Sequence, residues 1–232
     1  LAQHTQSGAA IIRQRRSAVA MERSQSRLPR VQFLALLTAL LPRPGVAPFD
    51  LRLGTPRIHP VFFVHRIDDV APGLYIQVRN PQHRDELSSA LDESFIWEKM
   101  DGDVGLYLLA RGTFRREAAA LSCGQAICGD GAFAVAMLGR FERELQGDPG
   151  RYRELVWEAG MLGQVLYLQA EMCGQRGTGI GCYFDDPVHQ MLGITDESYQ
   201  SIYHFTVGAP IDDDRISTRE PYFHLPESRI GR

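Results

Sequence analysis

Lysine is almost missing from this chain of 232 residues: of 25 basic residues only Lys99 is a lysine, and the rest are arginine. A P-loop needs Gly-Lys-Ser/Thr, but Lys99 sits between Glu98 and Met100, so that phosphate cradle is excluded. A lysine Schiff base would have to use the same residue, in a segment with no supporting pattern. Arginine does not deprotonate in a protein, so the remaining cations can bind anions but cannot act as bases. Cysteine is scarce too: Cys123, Cys128, Cys173 and Cys182 are too few for a disulfide scaffold. They show no Cys-x-x-Cys spacing, and no His-Glu-x-x-His helix accompanies them, so no zinc or other metal site is expected. Long apolar runs are also lacking. The stretch from Phe33 to Leu41 is broken by Thr38 and stopped by Pro42, too short to span a bilayer. There is no excess of positive charge, the net being -3, which argues against a nucleic-acid surface. The N-terminus carries Arg13, Arg15, Arg16 and Arg23 with Glu22 as its first acid, and has no secretory hydrophobic core. A start at Leu1 rather than Met suggests excision from a longer protein, and a cytoplasmic location is the default expectation.

What is present is the material of one folded domain spanning 1–232, with 44% hydrophobic and 23% charged residues. Residues 1–8 are expected to act as a flexible linker and 217–232 as a tail. Spacing predicts a short helix over 9–18 and a second begun by Pro29, with Val31, Leu34, Leu37, Thr38 and Leu41 at helical intervals. A Pro-rich surface loop occupies 42–60. Val61–His65 and Leu74–Val78 read as a strand hairpin, then Pro81–Leu91 as a helix and Leu106–Ala110 as a strand. Arg115–Cys123 reads as a helix and Ala132–Leu138 as a buried strand. The clearest element runs from Tyr152 to Cys173, where Leu155, Ala159, Leu162, Leu166, Ala170 and Cys173 form one apolar stripe. Gly160 and Gly163 beside it suggest close approach of another backbone. Thr178–Gly181 reads as a strand, Asp186-Pro187 as a helix start with Asp186 the N-cap, and Ser201–Val207 as a last strand. Irregular alternation of helices and strands implies an α+β fold around a mixed sheet.

Several patterns carry candidate chemistry, each with a plainer reading beside it. Arg15-Arg16-Ser17 offers two guanidinium forks and a hydroxyl suited to a phosphate monoester, or is a solvated surface pair. Gly177-Thr-Gly179-Ile-Gly181 lets a ligand approach the backbone but lacks the spacing of a dinucleotide loop, and tight packing explains it as well. Asp212-Asp213-Asp214 lacks the spacing of a calcium loop, and Arg215 after it either pairs with those carboxylates or points at an anion. Ser122, before Cys123-Gly124, resembles a nucleophile elbow only loosely. Cys182 with His189 is a conceivable thiol pair, although a buried cysteine and a surface histidine fit better. His65 and His204 lie in strand-like runs and read as structural.

Taken in order, these pieces resemble the flavin-dependent nitroreductase superfamily, in particular the SagB-type dehydrogenases related to azoline oxidases. The resemblance rests on Arg15-Arg16-Ser17, on His59-Pro60 entering a strand, and on the long helix from Tyr152 through Glu158, Gly160 and Gln164 to Leu168. It continues through Gly177-Thr-Gly-Ile-Gly-Cys-Tyr-Phe-Asp185-Asp186, then Val207-Gly-Ala-Pro before Arg215. It implies an α+β fold in which helices sandwich a mixed β-sheet, with a long central helix for dimerisation and FMN at the subunit boundary. Carried over, Arg15, Arg16, Ser17 and Arg215 would hold the FMN phosphate, and the backbone of Ile180, Gly181 and Cys182 would lie against the isoalloxazine. The partner would be a second copy, or a second nitroreductase-like half of a tandem protein, acting on a small molecule or peptide. Three positions depart from the family pattern: Val19 replaces a basic residue, Gly54–His59 replaces a Ser/Gly/Asn-rich flavin loop, and Gln146-Gly147 replaces a Lys-Tyr pair. They leave open an alternative, a cofactor-free half serving dimerisation or peptide binding.

Overall fold

A computed structural model describes residues 6–51 and 54–226. Residues 1–5 of the expected linker and 227–232 of the expected tail lie outside the described residues. In chain order the elements are α1 (Gly8–Gln14), β1 (Ala20–Met21), α2 (Arg30–Leu40), β2 (Ile58–Val64) and β3 (Gly73–Gln77). Then come α3 (Arg84–Ala90), β4 (Glu98–Lys99), β5 (Leu106–Arg111), α4 (Arg115–Leu121), α5 (Ile127–Asp130) and β6 (Phe133–Arg140). The C-terminal part holds α6 (Glu142–Leu145), α7 (Tyr152–Met172), β7 (Arg176–Ile180), α8 (Asp185–Leu192), β8 (Tyr199–Gly208) and β9 (Pro210–Ile211).

A seven-stranded sheet in the order β4-β5-β3-β2-β6-β8-β7 divides the molecule, and β1 pairs with β9 beside it. Strand pairing in this sheet is antiparallel throughout, a difference from the mixed sheet anticipated. The reason is topological. β6 and β7 run the same way, joined by the long α7, but β8 inserts between them and opposes both. Alternate residues of the central strands feed two cores. Phe62, Val64, Phe133, Val135 and Met137 meet Phe33 and Leu37 of α2 and Leu155, Leu162 and Leu166 of α7. Val61, Phe63, Ala134, Ala136 and Leu138 face Leu87, Leu121, Val188 and Leu192 of α3, α4 and α8. Burial on both faces is why these strands read as unbroken apolar runs rather than alternating ones.

Local chemistry moves several expected boundaries. α1 stops at Gln14 instead of 18, because the chain then lies along β7, where Ala18 N–H donates to the Gly177 carbonyl and Thr178 Oγ1 to the Ala18 carbonyl. Pro29 is the N-cap of α2 rather than its first residue. Phe184, not Asp186, flanks the start of α8. α7 spans 21 residues, about 32 Å of helix, and its C-cap Cys173 is followed by Gly174, whose φ of +70° suits glycine. Its predicted apolar stripe is buried as far as Ala170. The reading of its two glycines changes. At Gly163 the close neighbour is the Tyr203 ring rather than a backbone, 2.7 Å from where a Cβ would stand, and Gly160 faces open space. Among the described residues no helix is long and apolar enough to cross a membrane.

Candidate functional site

α1 ends where Arg15-Arg16-Ser17 begins, and α7 supplies the side chains that fix this tripeptide. Arg16 N–H donates to the Glu171 carboxylate at 3.2 Å. Its guanidinium donates to the carbonyls of Arg13 and Arg15 (2.8 and 2.9 Å) and of Arg219 (3.2 Å). The Arg15 guanidinium lies 4.6 Å from the centre of the Tyr167 ring, a cation–π contact. Ser17 Oγ and Tyr167 Oη are 2.9 Å apart, and Tyr167 Oη also accepts from Gly179 N–H of β7 at 2.8 Å. Tyr167 therefore ties together the two segments singled out in the sequence, the tripeptide and the glycine strand.

Beside this junction opens a pocket of about 540 Å³ whose walls include Arg13, Arg16, Arg176 and Arg219. Arg176 pairs with Asp212 at 2.9 Å. Arg215 is not among the lining residues of this pocket. Its guanidinium closes on Asp213 through two hydrogen bonds (2.8 and 2.6 Å) and holds that carboxyl below the usual range. Asp212 and Asp213 are thus engaged with arginines, and the cations that reach the pocket include Arg176 and Arg219, which sequence reasoning missed because no local pattern marks them.

Each glycine of β7 has its own reason. A Cβ on Gly177 would stand 2.6 Å from the Phe205 ring, and one on Gly179 would overlap the Tyr203 hydroxyl, so these two serve packing against β8. Gly181 has nothing within 4 Å, leaving its backbone open to a flat group. Ile180 points inward and is buried, while Gly181 and Cys182 are exposed.

The cysteine readings need correction. Cys182 is neither buried nor a free thiol facing His189; it is joined to Cys123 by a disulfide, with Cα atoms 5.9 Å apart. Four cysteines are few for a scaffold, but one pair needs only proximity, which the fold supplies by bringing the end of α4 to the loop after β7. His189 Nε2 accepts from Ser201 N–H at 3.2 Å, and burial lowers its pKa. Ser122 is buried, with Oγ 3.4 Å from His204 Nδ1, and is no exposed nucleophile. His204 stacks under Tyr183 (ring centres 4.2 Å apart), and burial pushes its pKa down to about 4.

Where the chain enters the central strand β2, the segment 54–59 departs from a flavin loop for a visible reason. Arg57 and Ile58 donate backbone N–H groups to buried Glu158 of α7, whose carboxylate also pairs with buried Arg79. The Arg57 guanidinium reaches Glu154 at 2.8 Å. His59 accepts from Arg79 N–H on Nδ1 and lies 3.0 Å from His83 through Nε2, with its pKa driven down mainly by burial. Glu158 was legible in principle, since it sits three residues after Leu155 and four before Leu162, inside the apolar stripe. Among the described residues no cluster of three or more His, Cys, Asp or Glu could hold a metal ion.

No protein-family model matches this sequence, and no curated protein does. Solved structures do. A candidate nitroreductase of Anabaena variabilis aligns over 88% of this chain at 24% identity with a TM-score of 0.68. The matched part is only 38% of that protein, so this chain spans well under half its length. The Escherichia coli microcin synthetase McbBCD, in complex with truncated pro-MccB17, aligns over 90% of this chain and 74% of the matched one (17% identity, TM-score 0.61). The NADPH:FMN oxidoreductase of Vibrio harveyi, complexed with NAD+, covers 97% of this chain and 76% of its own (15% identity, TM-score 0.53). Helices on both faces of this antiparallel sheet, with α7 crossing behind it, give the chain the nitroreductase fold.

Proposed function

We propose that this chain is an FMN-dependent oxidoreductase domain of nitroreductase type, related to the SagB-type dehydrogenases, that works as a homodimer or beside a second nitroreductase-like half. The observation that carries this reading is the juxtaposition at β7: an arginine-lined pocket at its start and an open glycine edge at its end. The pocket's donors fit a phosphate monoester, since guanidinium forks recognise phosphate oxygens and arginine stays charged at any working pH. The Arg16 guanidinium is already held by the carbonyls of Arg13, Arg15 and Arg219, and Ser17 by Tyr167, so little ordering is left for binding. Arg13, Arg176 and Arg219 add positive charge, Arg15 is held on the Tyr167 ring, and Arg215, closed on Asp213, would contribute the least of the phosphate-binding arginines. Ile180, Gly181 and Cys182 offer backbone rather than side chains to the ring system, and Gln125 steadies the Cys182 carbonyl at 3.2 Å. When bound, FMN supplies hydride chemistry, and the protein contributes binding, orientation and electrostatics. That division suits a chain in which burial lowers the pKa of His189 and His204 and so makes both weaker proton acceptors.

The partner surface is the outer side of α7, where Val156, Trp157 and Gly160 are exposed on the face away from the core. A peptide or a small molecule is the substrate class, the peptide being suggested by the likeness to the microcin synthetase chain. A second reading, a cofactor-free half, is favoured by one feature: residues 57–59 are committed to the Glu158 network and the buried start of β2.

One spectrum separates the two. The purified chain should be yellow or take up added FMN, and should release it on denaturation. A colourless protein that never binds FMN sinks the first reading.

A further inference from the structure

We propose that the Cys123–Cys182 disulfide is a thiol-exchange site, reducible by a dithiol, that fixes the backbone of the Gly181–Phe184 loop. Its consequence for FMN binding rests on the function proposed above; the exchange chemistry and the loop response do not.

The loop leaves the sheet at Ile180, whose partner His204 is the last pairing of β7. Beyond it Gly181 has no side chain, and nothing lies within 4 Å of its Cβ position, so no side-chain packing anchors it. Five attachments hold the rest of the loop, one of them the hydrogen bond that Tyr183 Oη donates to the Ser201 carbonyl at 3.3 Å. Phe184 N–H donates to the Leu121 carbonyl at 2.8 Å, Gln125 donates to the Cys182 carbonyl, Tyr183 stacks on His204, and the disulfide joins Cys182 to Cys123. Of these only the disulfide is a covalent bond, and it links segments 59 residues apart in sequence. At its other end Cys123 has φ of +55° and is followed by Gly124 at +72°. A side-chain-bearing residue adopts that left-handed conformation reluctantly, so Cys123 gains freedom when the bond opens.

Access distinguishes this pair from the other cysteines. Cys182 is exposed and Cys123 half-buried. Cys128 is buried, with its thiol pushed up to about 11, and Cys173 is half-buried with its pKa raised by burial, so neither supplies a competing thiolate. Thiol–disulfide exchange sets the electron count. A thiolate of the dithiol attacks Sγ of exposed Cys182, the Cys123–Cys182 bond breaks, and Cys123 leaves as a thiolate and takes up a proton. The second thiol of the reagent then attacks the mixed disulfide, releasing Cys182 as a thiol and closing the reagent's own disulfide. Two electrons and two protons pass to the protein.

The test uses the intact chain purified without reductant and treated with increasing dithiothreitol. Native maleimide labelling should appear at Cys123 and Cys182 before Cys128, and hydrogen exchange at residues 181–184 should quicken several-fold. Cys123→Ser with Cys182→Ser should show the same exchange without dithiothreitol, and both reduced and substituted proteins should bind added FMN several-fold more weakly. Labelling that appears only after denaturation overturns the proposal, as does unchanged exchange at 181–184 in the reduced chain. If neither form takes up FMN, the functional reading fails, while labelling and exchange still decide the thiol site.

Discussion

Glu158 shows how much a single residue can carry in this fold. Its carboxylate lies among Arg79, the Arg57 guanidinium and the backbone N–H groups of Arg57 and Ile58, all buried. Removing one member of a buried ion pair leaves the others uncompensated, which costs about 3–5 kcal/mol. Glu158→Ala should lower unfolding stability by that amount in urea titrations, and adding Arg79→Met should recover part of it. A loss below about 1 kcal/mol, the range of an exposed pair, would show that the network is solvated. His65 and His204 carry a second effect at this scale. Burial depresses each folded pKa to about 4, so the unfolded chain binds protons first as pH falls. Their stabilising contribution is complete above their unfolded value of about 6.5 and is lost as pH drops toward 4. Between those limits denaturation free energy should fall by up to about 1.4 kcal/mol per pH unit for each histidine, and His204→Gln should flatten the slope.

At the scale of elements, α7 was the most legible part of the chain because a helix writes its buried face into a repeat of 3.6 residues. The repeat does not say what meets the face, and its two glycines show the difference. Gly163→Ala would press on the Tyr203 ring and should cost about 1–3 kcal/mol in thermal or urea unfolding. Gly160→Ala meets open space and should stabilise the isolated fold by up to about 1 kcal/mol through helix propensity. Gly160→Trp fills the exposed face on which the proposed partner helix would lie. It should convert a dimer to monomer in light-scattering chromatography with little change in circular dichroism. An unchanged oligomer would remove α7 from the interface. The strand β7 teaches the same lesson: its glycines and Gly181 just beyond read alike in sequence, but two admit aromatic rings and one is open.

Over the whole molecule, the arginine richness of the chain resolves into roles that composition could not separate. Arg79 neutralises the core, Arg215 closes on its neighbour Asp213, and Arg16 and Arg219 share one pocket across 203 residues of sequence. If that pocket holds phosphate, losing a charge-assisted donor costs about 1.5–3 kcal/mol, or roughly tenfold or more in affinity. Arg219→Ala should therefore weaken FMN binding at least that much in a fluorescence titration, and Arg215→Ala should weaken it far less. The reverse order would show that Arg215 leaves Asp213 to take the phosphate.

By itself the sequence determined the helices and strands that build the two cores, the long helix with its buried stripe, and an ordered set of motifs resembling a nitroreductase. These are written in intervals of two to four residues, within reach of backbone hydrogen bonding and side-chain periodicity. Tertiary structure alone decided that Cys123 finds Cys182, that Glu158 lies between two arginines, that every pairing in the main sheet is antiparallel, and that Arg219 rather than Arg215 lines the pocket. Each of those depends on segments far apart in the chain meeting in space, and on which of many chemically equivalent arginines the packing leaves facing a cavity.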